Sequence, residues 1–402
     1  MYETGGLCSM DDDVDADDPN GPLAADQDEV TLRDAIETGD NGGGIGHGST
    51  IEPITFVNPS NGDPLTGTIT LQATLPAITK SYNIDGSGLT VSGNNSYGLF
   101  TVGGGVTSSI SGLTIEYGSA EYGGGVFNSG TLTLANDNIA YNDPVNGGGI
   151  ANRGVLNLKP GDTVHDNTAT ALGGGIYNSG GGVVNMSGAE VYKNKALNGG
   201  GIFNAGGGGA TVNIKNGSVI DYNTATIRGG GIYNSKALVS MKGGSIYDSI
   251  SATGGAGGGG IFTVSGTLLL SDVHLWANFA KSGNGGGINQ AGGRVTISSG
   301  TINSNYASNG QGGGIYVLGG TLTINKGTNI GYTGGGNTAK TGGGMYLTYG
   351  KTYFNSCTVE GNKATQQAAG VAYTTTATLN PKPNGLPNLT DNNDPGGKPV
   401  LV

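Results

Sequence analysis

The sequence predicts an all-β fold: a right-handed parallel β-helix (solenoid) of about 24–30-residue coils, with a short N-terminal capping helix. Three observations predict it: a recurring glycine-triplet phrase, two further short apolar runs in each repeat, and a composition foreign to ordinary domains. Of 402 residues 83 are Gly, 12% are charged and 35% are hydrophobic. There is no Gly-X-Y period, so collagen is excluded, and the charge is too low for the usual disordered chain. Glycine with regularly spaced Ile, Val and Leu points to short strands joined by tight turns.

The phrase runs Gly123-Gly124-Gly125-Val126-Phe127-Asn128, then Gly147-Gly148-Gly149-Ile150-Ala151-Asn152 and Gly173-Gly174-Gly175-Ile176-Tyr177-Asn178. It continues at Gly199, Gly229, Gly258, Gly285, Gly312 and Gly342, and decays to Ala368-Ala369-Gly370-Val371. The spacing falls in the solenoid range. A second run follows each phrase, as in Thr131-Leu132-Thr133-Leu134 and Thr211-Val212-Asn213-Ile214. A third ends in Asn, usually with Ala two places on, as in Val191-Tyr192-Lys193-Asn194 and Ile220-Asp221-Tyr222-Asn223. All are β-branched-rich, too short for helices and bounded by Gly, Asn and Ser.

A single coil cannot bury its inner residues, whereas coils stacked about 4.8 Å apart pair each backbone with the next. Like positions then form ladders. The Ile or Val after each triplet is one apolar ladder, and the triplets suit corners that need positive φ. Asn142, Asn167, Asn194, Asn223, Asn278, Asn305 and Asn362 form a structural ladder with amides bonded along the axis. Alternation turns Phe127, Tyr177, Phe203, Tyr233, Phe262, Tyr316 and Tyr346 outward. This aromatic stripe reads either as a contact surface for a sugar chain or a neighbouring subunit, or as a strip packed beneath loops.

Three segments are expected. Residues 1–50 hold an acidic stretch (Asp11-Asp12-Asp13, Asp15, Asp17, Asp18) and the capping helix at Val30–Glu37, with Thr31 as N-cap. Residues 51–378 form the β-helix, and 379–402, opening Asn380-Pro381-Lys382-Pro383, read as a linker or tail. The start shows no signal-peptide pattern, which fits either a processed chain or a piece of a longer one.

Val30-Thr31-Leu32-Arg33-Asp34-Ala35-Ile36 resembles the CSLREA segment that opens a class of bacterial surface β-helix proteins. Leu75-Pro76-Ala77-Ile78-Thr79, Ile84-Asp85-Gly86 and the glycine-triplet coils look like the same class, and the alternation is similar to chlamydial polymorphic outer-membrane repeats. The likeness spans residues 10–375. It departs where Val30 replaces the motif's Cys, and in having no autotransporter barrel within these residues. It implies an extracellular, surface-associated β-helix of adhesin type, and it transfers no catalytic residues.

A net charge of −11 without a basic stripe argues against nucleic acid. No apolar run reaches the ~20 residues of a membrane-spanning helix. β-Helices also carry polysaccharide-cleaving enzymes, whose sites need converging carboxylates. Here Asp137, Asp143, Asp162, Asp166, Glu190, Asp221, Asp248, Asp272 and Glu360 are scattered, and no two are expected to stack in neighbouring coils. Gly46-His47-Gly48 resembles a pectinase fragment but lacks acidic partners. No catalytic residue and no cofactor is assigned. The acidic stretch is the one candidate calcium site; lacking the order of a calcium loop, it reads better as solvated charge. Cys8 and Cys357 lie too far apart in an elongated fold for an internal disulfide, leaving free thiols or a bond between molecules. The expectation is therefore a structural or adhesive surface protein, self-associating end to end into a fibre through a poorly capped C-terminal end, or bound to other surface proteins. The alternative is a carbohydrate-binding module using the aromatic stripe; a polysaccharide lyase or hydrolase ranks below both.

Overall fold

The computed structural model describes residues 32–33, 35–36, 54–56, 63–253 and 257–380, and the backbone of 389–390 and 400–401. These residues form a parallel β-solenoid. Sheet 1 stacks 13 strands from Ile54–Thr55 to Thr378–Asn380, and sheet 2 stacks 13 from Thr68–Thr70 to Leu389–Thr390. Sheet 3 has seven strands, Lys195–Asn198 to Lys363–Gln367, and sheet 4 has 12, Phe100–Val102 to Val400–Leu401. One coil shows the path: Ile176–Asn178 in sheet 4, Val183–Ser187 in sheet 1, Glu190–Tyr192 in sheet 2 and Lys195–Asn198 in sheet 3. Gly199-Gly200-Gly201 then returns the chain to Ile202–Ala205 in sheet 4.

Each sheet's inner column follows from period-two alternation. Sheet 1 buries Leu132 and Leu134, Val184 and Met186, Val212 and Ile214, while the residues between them stay partly open. Sheet 2 buries Ile139, Val164, Val191, Ile220, Ile246 and Leu275, and sheet 4 buries Ile150, Ile176, Ile202, Ile232, Ile261 and Ile288. Sheet 3 turns small residues inward: Ala196, Ala225, Ser251, Ala280, Ala307 and Ala339. This narrow side favours small chains, which explains the Ala two places after every ladder Asn but Asn142.

The Asn ladder forms as expected. Asn142 Nδ2 donates to Asn167 Oδ1 at 2.9 Å, Asn167 to Asn194 at 3.0 Å and Asn194 to Asn223 at 3.0 Å. Asn278 donates to Asn305 at 3.0 Å, Asn305 to Asn337 at 2.9 Å and Asn337 to Asn362 at 2.9 Å. Asn337 escaped the sequence reading because residues 331–336, Gly334-Gly335-Gly336 among them, separate it from its strand Thr328–Ile330. Ser249 takes the Asn position in one coil and divides the ladder in two. The Asn closing each triplet phrase makes a second buried ladder, Asn128 to Asn152 to Asn178 to Asn204 to Asn234, with bonds of 2.7–3.1 Å.

The triplets correct one expectation, since only the first glycine is a positive-φ corner: Gly173 has φ +64. The others are required by space. A Cβ on Gly174 would strike the backbone of Gly200 and Lys195, and one on Gly175 would lie 2.8 Å from Gly201 O and 3.0 Å from Asn194 Nδ2.

At the N-terminal end, Leu32, Arg33, Ala35 and Ile36 are helical, and Leu32, Ala35 and Ile36 are buried with the first coils, as the expected cap requires. Arg33 donates to the carbonyls of Thr74 and Ala73 at 3.0 Å each. Thr31, the acidic stretch, Gly46-His47-Gly48 and Cys8 lie outside the described residues. The expected C-terminal linker is corrected: Thr378–Asn380, Leu389–Thr390 and Val400–Leu401 add strands to sheets 1, 2 and 4. Cys357 is 1% exposed, and burial pushes its thiol up to about 11. A disulfide between molecules through Cys357 is thereby ruled out for this conformation, because the sulfur faces the core and resists ionisation.

Candidate functional site

The expected aromatic stripe occupies the outward column of sheet 4, in register from Phe127 through Tyr177, Phe203, Tyr233 and Phe262 to Tyr316 and Tyr346. It is not an open surface. Phe203, Phe262, Tyr316 and Tyr346 are buried, and Phe127, Tyr177 and Tyr233 are half-buried. The rings cover one another: Phe203 and Tyr233 stack at 4.7 Å, Tyr233 and Phe262 at 5.2 Å, and Tyr316 and Tyr346 at 5.9 Å. Arg228 and Asn284, ahead of the triplets, flank them on one side; Val264, Ala291 and Leu318 flank them on the other. The column is a packed groove floor, so its value as a broad contact face is corrected.

The open aromatic row lies on sheet 2. Its outward column reads Glu116, Ala140, His165, Tyr192, Asp221, Tyr247, Trp276 and Asn303 in successive coils. The next residue in each coil turns through positive φ, giving a second column of Tyr117, Tyr141, Asp166, Lys193, Tyr222, Asp248, Ala277 and Ser304. The left-handed turn swings these side chains outward beside the first column, ahead of the buried Asn ladder.

The two columns interleave into a nearly continuous run of rings. Tyr117 stacks on Tyr141 at 5.6 Å, Tyr141 meets His165 edge-on at 6.0 Å, and His165 stacks on Tyr192 at 4.6 Å. After the Asp221 position, Tyr222 meets Tyr247 edge-on at 6.1 Å and Tyr247 stacks on Trp276 at 4.5 Å. Tyr141 is 47% exposed, Tyr222 53% and Trp276 38%. The sequence reading weighed Asp166 and Asp221 here as carboxylates and did not weigh the rings beside them. The signal was legible as rings recurring just ahead of the ladder Asn; their exposure was not.

Polar groups punctuate the row. His165 Nδ1 lies 2.8 Å from Asp166 Oδ2, and the Lys193 ammonium stands 5.7 Å over the Tyr192 ring. Burial pushes Asp221 up to about 6, although a hydrogen bond from Tyr247 pulls it down; nearby Glu190 and Asp248 add to the rise. Tyr247 is pushed up to about 12, first by burial and then by Asp221. Asp137 and Asp162 do stack in neighbouring coils, correcting the expectation that no carboxylates would. Asp137 N–H donates to Asp162 Oδ1 at 2.9 Å, Asp137 accepts the amides of Leu113 and Ala135, and Asp162 accepts that of Lys159. Both are 1% exposed and serve as corner caps. Among the described residues no group of three His, Cys, Asp or Glu is placed to hold a metal, and no helix is long and apolar enough to cross a membrane.

Stacked parallel coils with two outward aromatic columns define the class: a parallel β-solenoid with an exposed ring-lined face. No family model, curated protein or solved structure matches the chain, so its function is to be read from that face.

Proposed function

We propose that the protein is an extracellular adhesive rod that holds an extended glycan along the outward face of sheet 2. The observation carrying this reading is the run of rings from Tyr117 to Trp276, of which Tyr117, Tyr141, Tyr222 and Trp276 are exposed and the rest partly so. Rings give large contact area at low entropic cost, and a row repeating every ~4.8 Å along the axis favours an elongated partner over a compact one. Carboxylates and His165 supply polar groups beside the rings for hydroxyls. The acidic chain is poorly suited to nucleic acid, and the resemblance to surface β-helices supports the same location.

Trp276 is the only tryptophan, so its emission reports on the row. Titration with soluble extended glycans is expected to shift that emission saturably, and Tyr222→Ala with Tyr247→Ala to weaken binding about tenfold or more, at ~0.5–1.5 kcal/mol per ring. A broad glycan panel that leaves the emission unmoved would sink the proposal.

A further inference from the structure

The packed floor of sheet 4 is broken at two positions where a small residue interrupts the aromatic column, and the two breaks are treated differently. At Ala151, between Phe127 and Tyr177, the chain fills the break itself. The Tyr122 ring inserts there, 6.4 Å from Phe127 and 6.2 Å from Tyr177, and the Arg153 guanidinium stands 4.9 Å over it. At Asn289, between Phe262 and Tyr316, no ring of the described residues is inserted. A hollow of about 350 Å³ opens instead, lined by Tyr233, Phe262, Asn284, Asn289, Tyr316 and Arg228 among others.

The dimensions fit one ring. Two coils separate Phe262 from Tyr316, about 9–10 Å. A ring sandwiched between two others needs about 7–8 Å at ordinary carbon contact distances. The chemistry is also specific. Arg228 stands 5.4 Å over Phe262, and its Nε is buried with no hydrogen-bond partner among the described residues. Among the described residues it is the only charged side chain lining the hollow, and none of those lining it is a carboxylate. A buried donor left without a partner costs about 1–3 kcal/mol, which a bound acceptor would recover.

We propose that this slot binds a single six-membered ring bearing a carboxylate, the ring held between Phe262 and Tyr316 and the carboxylate paired with Arg228. The self-filled slot shows that such a break accommodates a ring, that of Tyr122, with a guanidinium, that of Arg153, beside it. Such a ring can come from a uronic acid in a glycan or from a free aromatic acid. The site is separate from the row on sheet 2.

The test is ligand-observed NMR titration with methyl galacturonide, 4-hydroxybenzoate and neutral methyl galactoside. At least one of the two acids is expected to bind, and the one that binds names the source. Arg228→Gln should weaken it at least about tenfold, as loss of a charge-assisted pair requires. Asn289→Tyr, which completes the column with a ring that neighbouring coils already accept, should abolish it with the fold intact. Arg294→Gln, the same charge change on exposed sheet 1, should leave it unchanged. The proposal is overturned if neither acid binds, if Arg294→Gln matches the loss from Arg228→Gln, or if Asn289→Tyr removes binding of the neutral sugar as readily as that of the acid. Glycan held on sheet 2 is untouched by Asn289→Tyr, so failure of one site is distinguishable from failure of the other.

Discussion

At the scale of single residues the fold sets a strain against a hydrogen-bonded chain. Tyr141, Asp166, Lys193, Tyr222, Asp248, Ala277 and Ser304 are all held at φ between +47 and +56, a conformation that costs non-glycine residues roughly 1 kcal/mol or more each. What holds them is the next residue. Asn194 Oδ1 accepts both the backbone and side-chain N–H of Asn167, while its own amide donates to Val164 O and Asn223 Oδ1. Each buried Asn thus satisfies several groups that would otherwise lack water. Ser249 is too short to bridge and leaves the ladder split between Asn223 and Asn278. Ser249→Asn is expected to join the halves and raise stability by about 1 kcal/mol, measured as a shift in denaturant midpoint at constant slope. A lower midpoint would mean that the coil beside Gly231 cannot take the larger side chain.

At the scale of elements the glycine triplet is the feature on which the strands depend. Its first residue turns the chain, and its second and third let coils approach closely enough to exchange backbone bonds, as in Gly175 N–H to Gly201 O at 3.0 Å. Not every glycine does such work: Gly207 has a permissive backbone and nothing within 4 Å of an added Cβ. Gly175→Ala should therefore lose about 1–3 kcal/mol through overpacking, while Gly207→Ala should be neutral or gain a few tenths by stiffening the unfolded chain. Thermal unfolding of the two variants checks this; equal losses would show that the triplet has no special spatial role.

At the scale of the whole molecule, buried carboxyls set the pH response. Burial pushes Asp137 up to about 7, against the pull of two amide donors, and pushes Asp162 and Asp221 up to about 6. In the unfolded chain these groups ionise near 4. Between about pH 4 and 7 the folded state therefore holds more protons than the unfolded state, so stability falls as pH rises through that window and levels off above it. The melting temperature is expected to be several degrees higher at pH 4.5 than at 7.5, with the gap narrowed by Asp137→Asn. A flat profile, or one rising with pH, would show that the amide donors outweigh burial.

The sequence by itself determined the coil. Regular triplets, Val-x-Leu alternation and a recurring Asn-x-Ala specify the repeat length, the inward columns and the main Asn ladder, because identical residues in stacked coils meet identical surroundings. The irregular coil at Asn337, the acids at Asp137 and Asp162 and the strands beyond residue 378 were not legible, since each breaks the repeat and is paired only in space. Tertiary structure alone decided which aromatic column is open. Phe262 and Tyr233 occupy outward positions just as Tyr247 and Trp276 do, but the turns before and after sheet 4 rise beside its strands and cover it. Positive φ ahead of the Asn ladder carries Tyr222 and Tyr141 outward on sheet 2 instead. Alternation fixes which way a side chain points; what stands next to it, and so whether it meets solvent, depends on the path of the turns.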